Sequence, residues 1–79
     1  MTDTVQIARL LSCPIIKKLM VEPVIAADGH TYERSAMEHW LQQNDTSPVT
    51  HLPLPHKRLV PNVVIRSAIL NHPQPLQWH

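Results

Sequence analysis

The sharpest constraint in this chain is the pair Asp28-Gly29. Gly29 is the only glycine in the sequence. It stands between two short runs, Val24-Ile25 and Thr31-Tyr32, whose residues favour strands. Asp-Gly between such runs signals a β-hairpin. A two-residue type I′ turn needs positive φ at both central positions, which Asp tolerates and Gly adopts freely. The stretch Pro23–Arg34 therefore reads as strand, turn, strand and helix entry, with the rest of the chain packed around it.

At 79 residues, the chain has room for one small domain. A chain of this size buries only about 60% of its unfolded surface, so it needs some additional fastening. The single cysteine, Cys13, excludes an internal disulfide and a thiolate-rich zinc site. His30, His39, His51 and His56 lack the paired spacing of metal ligands, so neither metal nor cofactor is expected. The net charge of +1 is no footprint for nucleic acid. Lys17-Lys18 and Lys57-Arg58 have no interleaved aromatics and read as solvated faces. No run of about 18 apolar residues suggests a membrane span, and no secretory leader is expected at the start. One unpaired cysteine fits a reducing setting, cytoplasmic or nuclear.

Taken in order, residues 1–10 form an N-terminal lead, 11–71 the domain and 72–79 a tail. The stretch from Cys13-Pro14 to Pro23 is a loop in which Leu19 and Met20 should point inward. Ala36, Met37, Trp40 and Leu41 then lie on one face of an amphipathic helix, expected over 33–43 and barred from continuing by Pro48. Thr46–Thr50 is a second loop. Leu52-Pro53-Leu54-Pro55 should cross the domain extended and tuck both leucines under it. Leu59-Val60-Pro61 is at most a short edge strand. Asn62 caps a second helix, whose buried stripe is Ile65, Ala68 and Ile69. The sequence shows no internal repeats. The result is a small α+β fold: hairpin, central helix, two loops and C-terminal helix. Without metal or disulfide, side-chain hydrogen bonds and ion pairs must fix the loops. Asp28, Glu33, Arg34, Ser47, Thr50 and Asn62 all lie beside them.

These residues also carry a family pattern. Cys13-Pro14-Ile15, Leu19-Met20, Glu22-Pro23-Val24, Asp28–Arg34, Trp40-Leu41, Ser47–Thr50, Leu54, Leu59–Asn62 and Arg66–Ile69 together resemble the U-box of ubiquitin ligases, in order and with the usual spacings. The resemblance implies a zinc-free RING-like fold in which polar contacts replace metal ions, here with Asp28, Glu33, Arg34 and Asn62 in the network. It implies recruitment of a ubiquitin-charged conjugating enzyme and transfer of ubiquitin to a substrate lysine, with no covalent ligase intermediate. Substrate would be held through other domains. Ile15 and Pro48 would meet the conjugating enzyme from the two loops, and Trp40 would floor the groove between them. His51 stands where such domains often place an arginine or lysine that bridges carrier and ubiquitin, and Lys17 replaces a bulkier apolar residue of some members.

Plainer readings stand beside these. Trp40 also fits a pure core residue, Ile15 a buried loop anchor and Pro48 a helix stop. Cys13 reads as a buried apolar residue, not a nucleophile. The competing function is a non-catalytic U-box scaffold for protein interaction or dimerisation.

Overall fold

Strands β1 (Pro23–Ile25) and β2 (Thr31–Glu33) pair antiparallel, with Val24 opposite Tyr32 and Ile25 opposite Thr31. The computed structural model describes residues 11–71. The lead and the tail expected at 1–10 and 72–79 lie outside these described residues. The hairpin is present, but its turn differs from the type I′ expectation. The Gly29 N–H donates to Ala26 O (3.0 Å) and the Ala26 N–H to His30 O (3.0 Å), which leaves a three-residue loop. Within it only Gly29 has positive φ, at 82°. Asp28 keeps an ordinary φ because its carboxylate accepts the His30 N–H at 2.9 Å, a local bond that closes an Asx turn. The glycine then supplies the one left-handed residue that a three-residue loop requires.

Helix α1 (Arg34–Leu41) follows β2 directly. Its Met37 and Leu41 are buried, and Ala36 and Trp40 pack half-buried on the same core. Glu33 stands at the helix entry without capping it, because its carboxylate is engaged elsewhere. At the other end the Lys57 ammonium donates to Leu41 O (3.0 Å) and pairs with Asp45 (2.8 Å). A cation at a helix C-terminus satisfies an orphan carbonyl and opposes the helix dipole.

Strand β3 (Val60–Pro61) pairs antiparallel with β1, giving the sheet order β2-β1-β3. Pro61 is tolerated because it lies on an edge. Asn62 then caps helix α2 (Val63–Asn71), its Oδ1 accepting the Ile65 N–H at 3.0 Å. Asn62 Nδ2 also donates to Thr31 Oγ1 at 2.8 Å, which ties the cap to the hairpin.

The core gathers Cys13, Met20, Ala26, Tyr32, Met37 and Leu41. Three inward assignments need correction. Leu19 and Leu52 are exposed (39% and 64%), and only Met20 and Leu54 of those two pairs pack inward. Leu19 is turned out because it pairs with Ser12 to close a loop, which leaves Met20 facing the core. Leu52 spends its carbonyl closing the second loop (Ser47 N–H, 2.9 Å). On α2, Ile65 and Ile69 reach the core half-buried, while Ala68 faces outward.

Candidate functional site

Two loops rise beside α1, and they trace the same backbone path. In the first, Cys13 N–H donates to Lys18 O (2.9 Å), Lys17 N–H to Cys13 O (2.8 Å) and Met20 N–H to Leu11 O (3.0 Å). In the second, Ser47 N–H donates to Leu52 O (2.9 Å), His51 N–H to Ser47 O (2.9 Å) and Leu54 N–H to Asp45 O (2.8 Å). Isolated antiparallel bridges close both, Ser12 with Leu19 and Thr46 with Pro53. Each loop has one left-handed non-glycine residue, Lys17 (φ 61°) and His51 (φ 64°). Each places a proline second, Pro14 and Pro48, after a residue whose side chain accepts an amide two positions on. Cys13 Sγ takes Ile15 N–H at 3.4 Å, and Ser47 Oγ takes Val49 N–H at 3.1 Å. The two loops thus share a conformation although the sequence shows no internal repeat. The shared sequence, little more than a small polarisable residue, Pro and Ile or Val, is too short to register as a repeat.

The second loop is anchored on the hairpin. Asp28 Oδ2 accepts both the Tyr32 hydroxyl (2.6 Å) and the Ser47 hydroxyl (2.6 Å). Ser47 is fully buried and its Oγ also accepts the Thr50 N–H (3.0 Å). Burial pushes the Asp28 carboxyl up. Hydrogen bonds from Ser47, Tyr32 and the His30 amide, with the charge of His30, outweigh it and hold Asp28 below its ordinary value. Tyr32 is held well above the usual phenol range by burial and by its bond to Asp28. The first loop is anchored differently. The Glu33 carboxylate accepts the Val21 N–H at 2.6 Å and the Glu22 N–H at 3.3 Å, so the end of that loop is stitched to the entry of α1. Among the described residues, no buried side-chain nitrogen or oxygen lacks a partner. Nor does any group of three His, Cys, Asp or Glu side chains sit where it could hold a metal ion.

Ile15 and Trp40 pack on the same core cluster, both half-buried, from the first loop and from α1. Trp40 is neither sealed nor free, for its Nε1 donates to Thr46 O at 2.6 Å and so joins the helix to the second loop. Pro48, one residue past Ser47, is half-buried. His51 is exposed at the far end of the second loop. The structure thus links Ile15 to Trp40 through the core, and Trp40 to the second loop through a hydrogen bond.

The family model for the U-box domain matches residues 7–77. The chain belongs to the U-box family. It is 59% identical over 58 residues to U-box domain-containing protein 52 of Arabidopsis thaliana, covering 73% of this chain and 7% of that protein. It is 53% identical over 58 residues to the WD repeat, SAM and U-box domain-containing protein 1 of Gallus gallus, covering 72% of this chain and 12% of that protein. The counterpart of the same name from Danio rerio is 52% identical over 58 residues, with the same coverages. The chain therefore spans about a tenth or less of the length of these relatives. The U-box family is associated with ubiquitin ligases, and the α+β fold seen here agrees with membership.

Within this U-box the polar network is made of hydrogen bonds more than of ion pairs. Arg34 lies 3.7 Å from both Glu22 and Glu38, partly exposed, a geometry worth little in water. Two contributors escaped the sequence reading. Tyr32 reads from the sequence as a strand residue, and in the structure its hydroxyl makes one of the short bonds to Asp28. Lys57 reads as part of a solvated face, and in the structure it closes α1. An aromatic hydroxyl four residues after an Asp in a hairpin was a readable signal for the first. Nothing in the local sequence signals the second.

Proposed function

We propose that this chain is the ligase module of a RING-type ubiquitin-protein ligase, an aminoacyltransferase that works by recruiting a ubiquitin-charged conjugating enzyme. The single observation that carries this is the pair of matched loops, each closed on itself, with Ile15 and Pro48 half-exposed and Trp40 between them tied to the second. Ile15, Trp40 and Pro48 form the contact surface for the conjugating enzyme. Small interfaces depend on a few such anchors, with aromatics prominent among them. Asp28, Glu33, Arg34 and Asn62 hold the frame, and His51 is the residue that reaches across to ubiquitin.

No covalent intermediate forms on the domain. A substrate lysine amine attacks the carrier's thioester carbonyl, the new C–N bond forms, and the carrier's cysteine leaves as thiol. The domain contributes by restricting the loaded carrier to reactive arrangements, an effect of orientation. Substrate is brought by other parts of the protein to which this module belongs, in the cytoplasm or nucleus.

The test is discharge of ubiquitin-loaded conjugating enzymes onto free lysine across a panel of carriers. At least one should discharge faster with the domain present, and Ile15→Ala should remove the effect with the circular dichroism spectrum unchanged. Acceleration of no carrier would end the ligase reading. The second reading, a scaffold that associates without stimulating transfer, is favoured by the exposed Val63, Val64 and Leu70 of α2. It would be supported by carrier binding without discharge.

A further inference from the structure

The carboxylates and the cations of the described residues are not evenly matched. Glu22 and Glu38 face Arg34, Asp45 pairs with Lys57, and Asp28 and Glu33 accept hydrogen bonds. Every acidic side chain among the described residues is thus engaged. Lys17, Lys18, Arg58 and Arg66 form no ion pair with any of them. The described residues hold six lysines and arginines against five carboxylates, a formal balance of +1, and two of these four cations are adjacent on one loop.

Their placement is one-sided. Lys17 and Lys18 are both exposed, two and three residues after Ile15. The equivalent positions of the second loop hold His51 and Leu52, so that loop has no lysine or arginine from Thr46 to Leu52. Lys17 also lines an open hollow of about 290 Å3 with Ser12, Cys13 and Pro14. Its left-handed backbone is fixed by the Lys17 N–H bond to Cys13 O, so its Cα is held at the edge of that hollow.

We propose that the hollow formed by Ser12, Cys13, Pro14 and Lys17, with Lys18 beside it, is a specificity site that admits an acidic side chain of the conjugating enzyme. The inference rests on the function proposed above and deepens it, by naming what distinguishes accepted from rejected carriers. Ile15 supplies apolar contact without discrimination. Lys17 and Lys18 favour carriers that present a carboxylate opposite the first loop and disfavour carriers with a cation there. Like-charge juxtaposition and steering act chiefly on encounter, so the effect falls on association rate and on its salt dependence.

The experiment measures association rates of a panel of purified conjugating enzymes, at several salt concentrations, with the whole chain and its variants. For the preferred carrier, Lys17→Glu/Lys18→Glu should slow association by about tenfold at low salt and invert the salt dependence. Lys17→Gln/Lys18→Gln should give an intermediate loss. Arg58→Glu/Arg66→Glu makes the same total charge change outside the first loop and should have a smaller effect. Carriers bound poorly by the natural chain should gain with the double glutamate variant. An unchanged rate and salt slope in the double glutamate variant, with binding still abolished by Ile15→Ala, overturns this inference and leaves the proposed function standing. An equal effect from the two charge-reversed variants overturns it as well, since the charge would then act without regard to place. If the natural chain binds no carrier, the proposed function falls and this inference with it.

Discussion

The two loops share a backbone path and are held in it by different physics. At the head of the first stands Cys13, whose sulfur accepts one long bond and whose bulk is buried among Met20, Met37 and Leu41. At the head of the second stands Ser47, whose hydroxyl donates to Asp28 and accepts two amides. At its head the first loop is fastened by apolar burial, with the Glu33 carboxylate holding its far end, whereas the second is fastened at its head by a charge-assisted hydrogen bond. Cysteine and serine side chains share one connectivity, the sulfur being the larger atom, and each accepts the amide two positions on. They differ in which surroundings they can satisfy. A sulfur is at ease in an apolar core, whereas a buried hydroxyl needs partners. The comparison teaches that the loop path comes from its backbone bonds, and that the side chain at its head chooses the anchor.

Exchanging the two heads is the strongest way to break this account. Ser47→Cys removes the short bond to Asp28 and weakens acceptance of two amides. It should cost about 2–3 kcal/mol, read as a lowered midpoint in urea unfolding. A loss under about 0.5 kcal/mol would mean that Ser47 merely fills space.

The same anchor sets how stability responds to pH. Asp28 has its folded value below its unfolded one, so its contribution is present above about pH 4 and is lost as pH falls through the folded value. Tyr32 is shifted upward, so its contribution is present below about pH 10 and is lost as pH rises beyond it. In Ser47→Cys the largest of the bonds lowering Asp28 is gone, and the acid limb of a stability–pH profile should be shallower than in the natural chain. Identical acid limbs would remove Ser47 from the network.

The reciprocal change should be milder. Cys13→Ser puts a hydroxyl into the apolar cluster with only the Ile15 amide beside it, at about 1–2 kcal/mol. If it matched or exceeded the cost of Ser47→Cys, the two loops would be more alike than claimed. The smallest effect concerns the left-handed residues. Lys17→Gly and His51→Gly relieve backbone strain of roughly 1–2 kcal/mol, but glycine loosens the unfolded chain by up to about 1 kcal/mol. Each variant should therefore match the natural stability or exceed it by up to about 2 kcal/mol. A clear loss at one position alone would show that its side chain, and not its backbone, matters there.

Much of this arrangement was legible in the sequence. Asp28-Gly29 marked the hairpin, the spacing of Ala36, Met37, Trp40 and Leu41 marked α1, and Asn62 marked the start of α2. These signals are local, and local preference was enough. The turn type was missed because the Asp28 carboxylate bonds the His30 amide, which steers the backbone away from a second left-handed residue. Leu19 and Leu52 were misplaced because hydropathy says how apolar a residue is and not which side of a loop it faces. The family blocks gave Ile15, Trp40 and Pro48 as a set. The structure adds that the tryptophan ring nitrogen is tied to Thr46 O, which joins the helix to the second loop.

By itself the sequence determined that neither an internal disulfide nor a thiolate-rich zinc site could fasten these loops, since each needs more than the one cysteine present. It determined the hairpin, both helices and the need for polar fastening. Only the tertiary structure decided which groups do the fastening, because Asp28 and Ser47 stand 19 residues apart and Lys57 meets Leu41 across 16. A hydrogen bond depends on distance and direction in space. Neither can be read along the chain until the packing has brought the partners together.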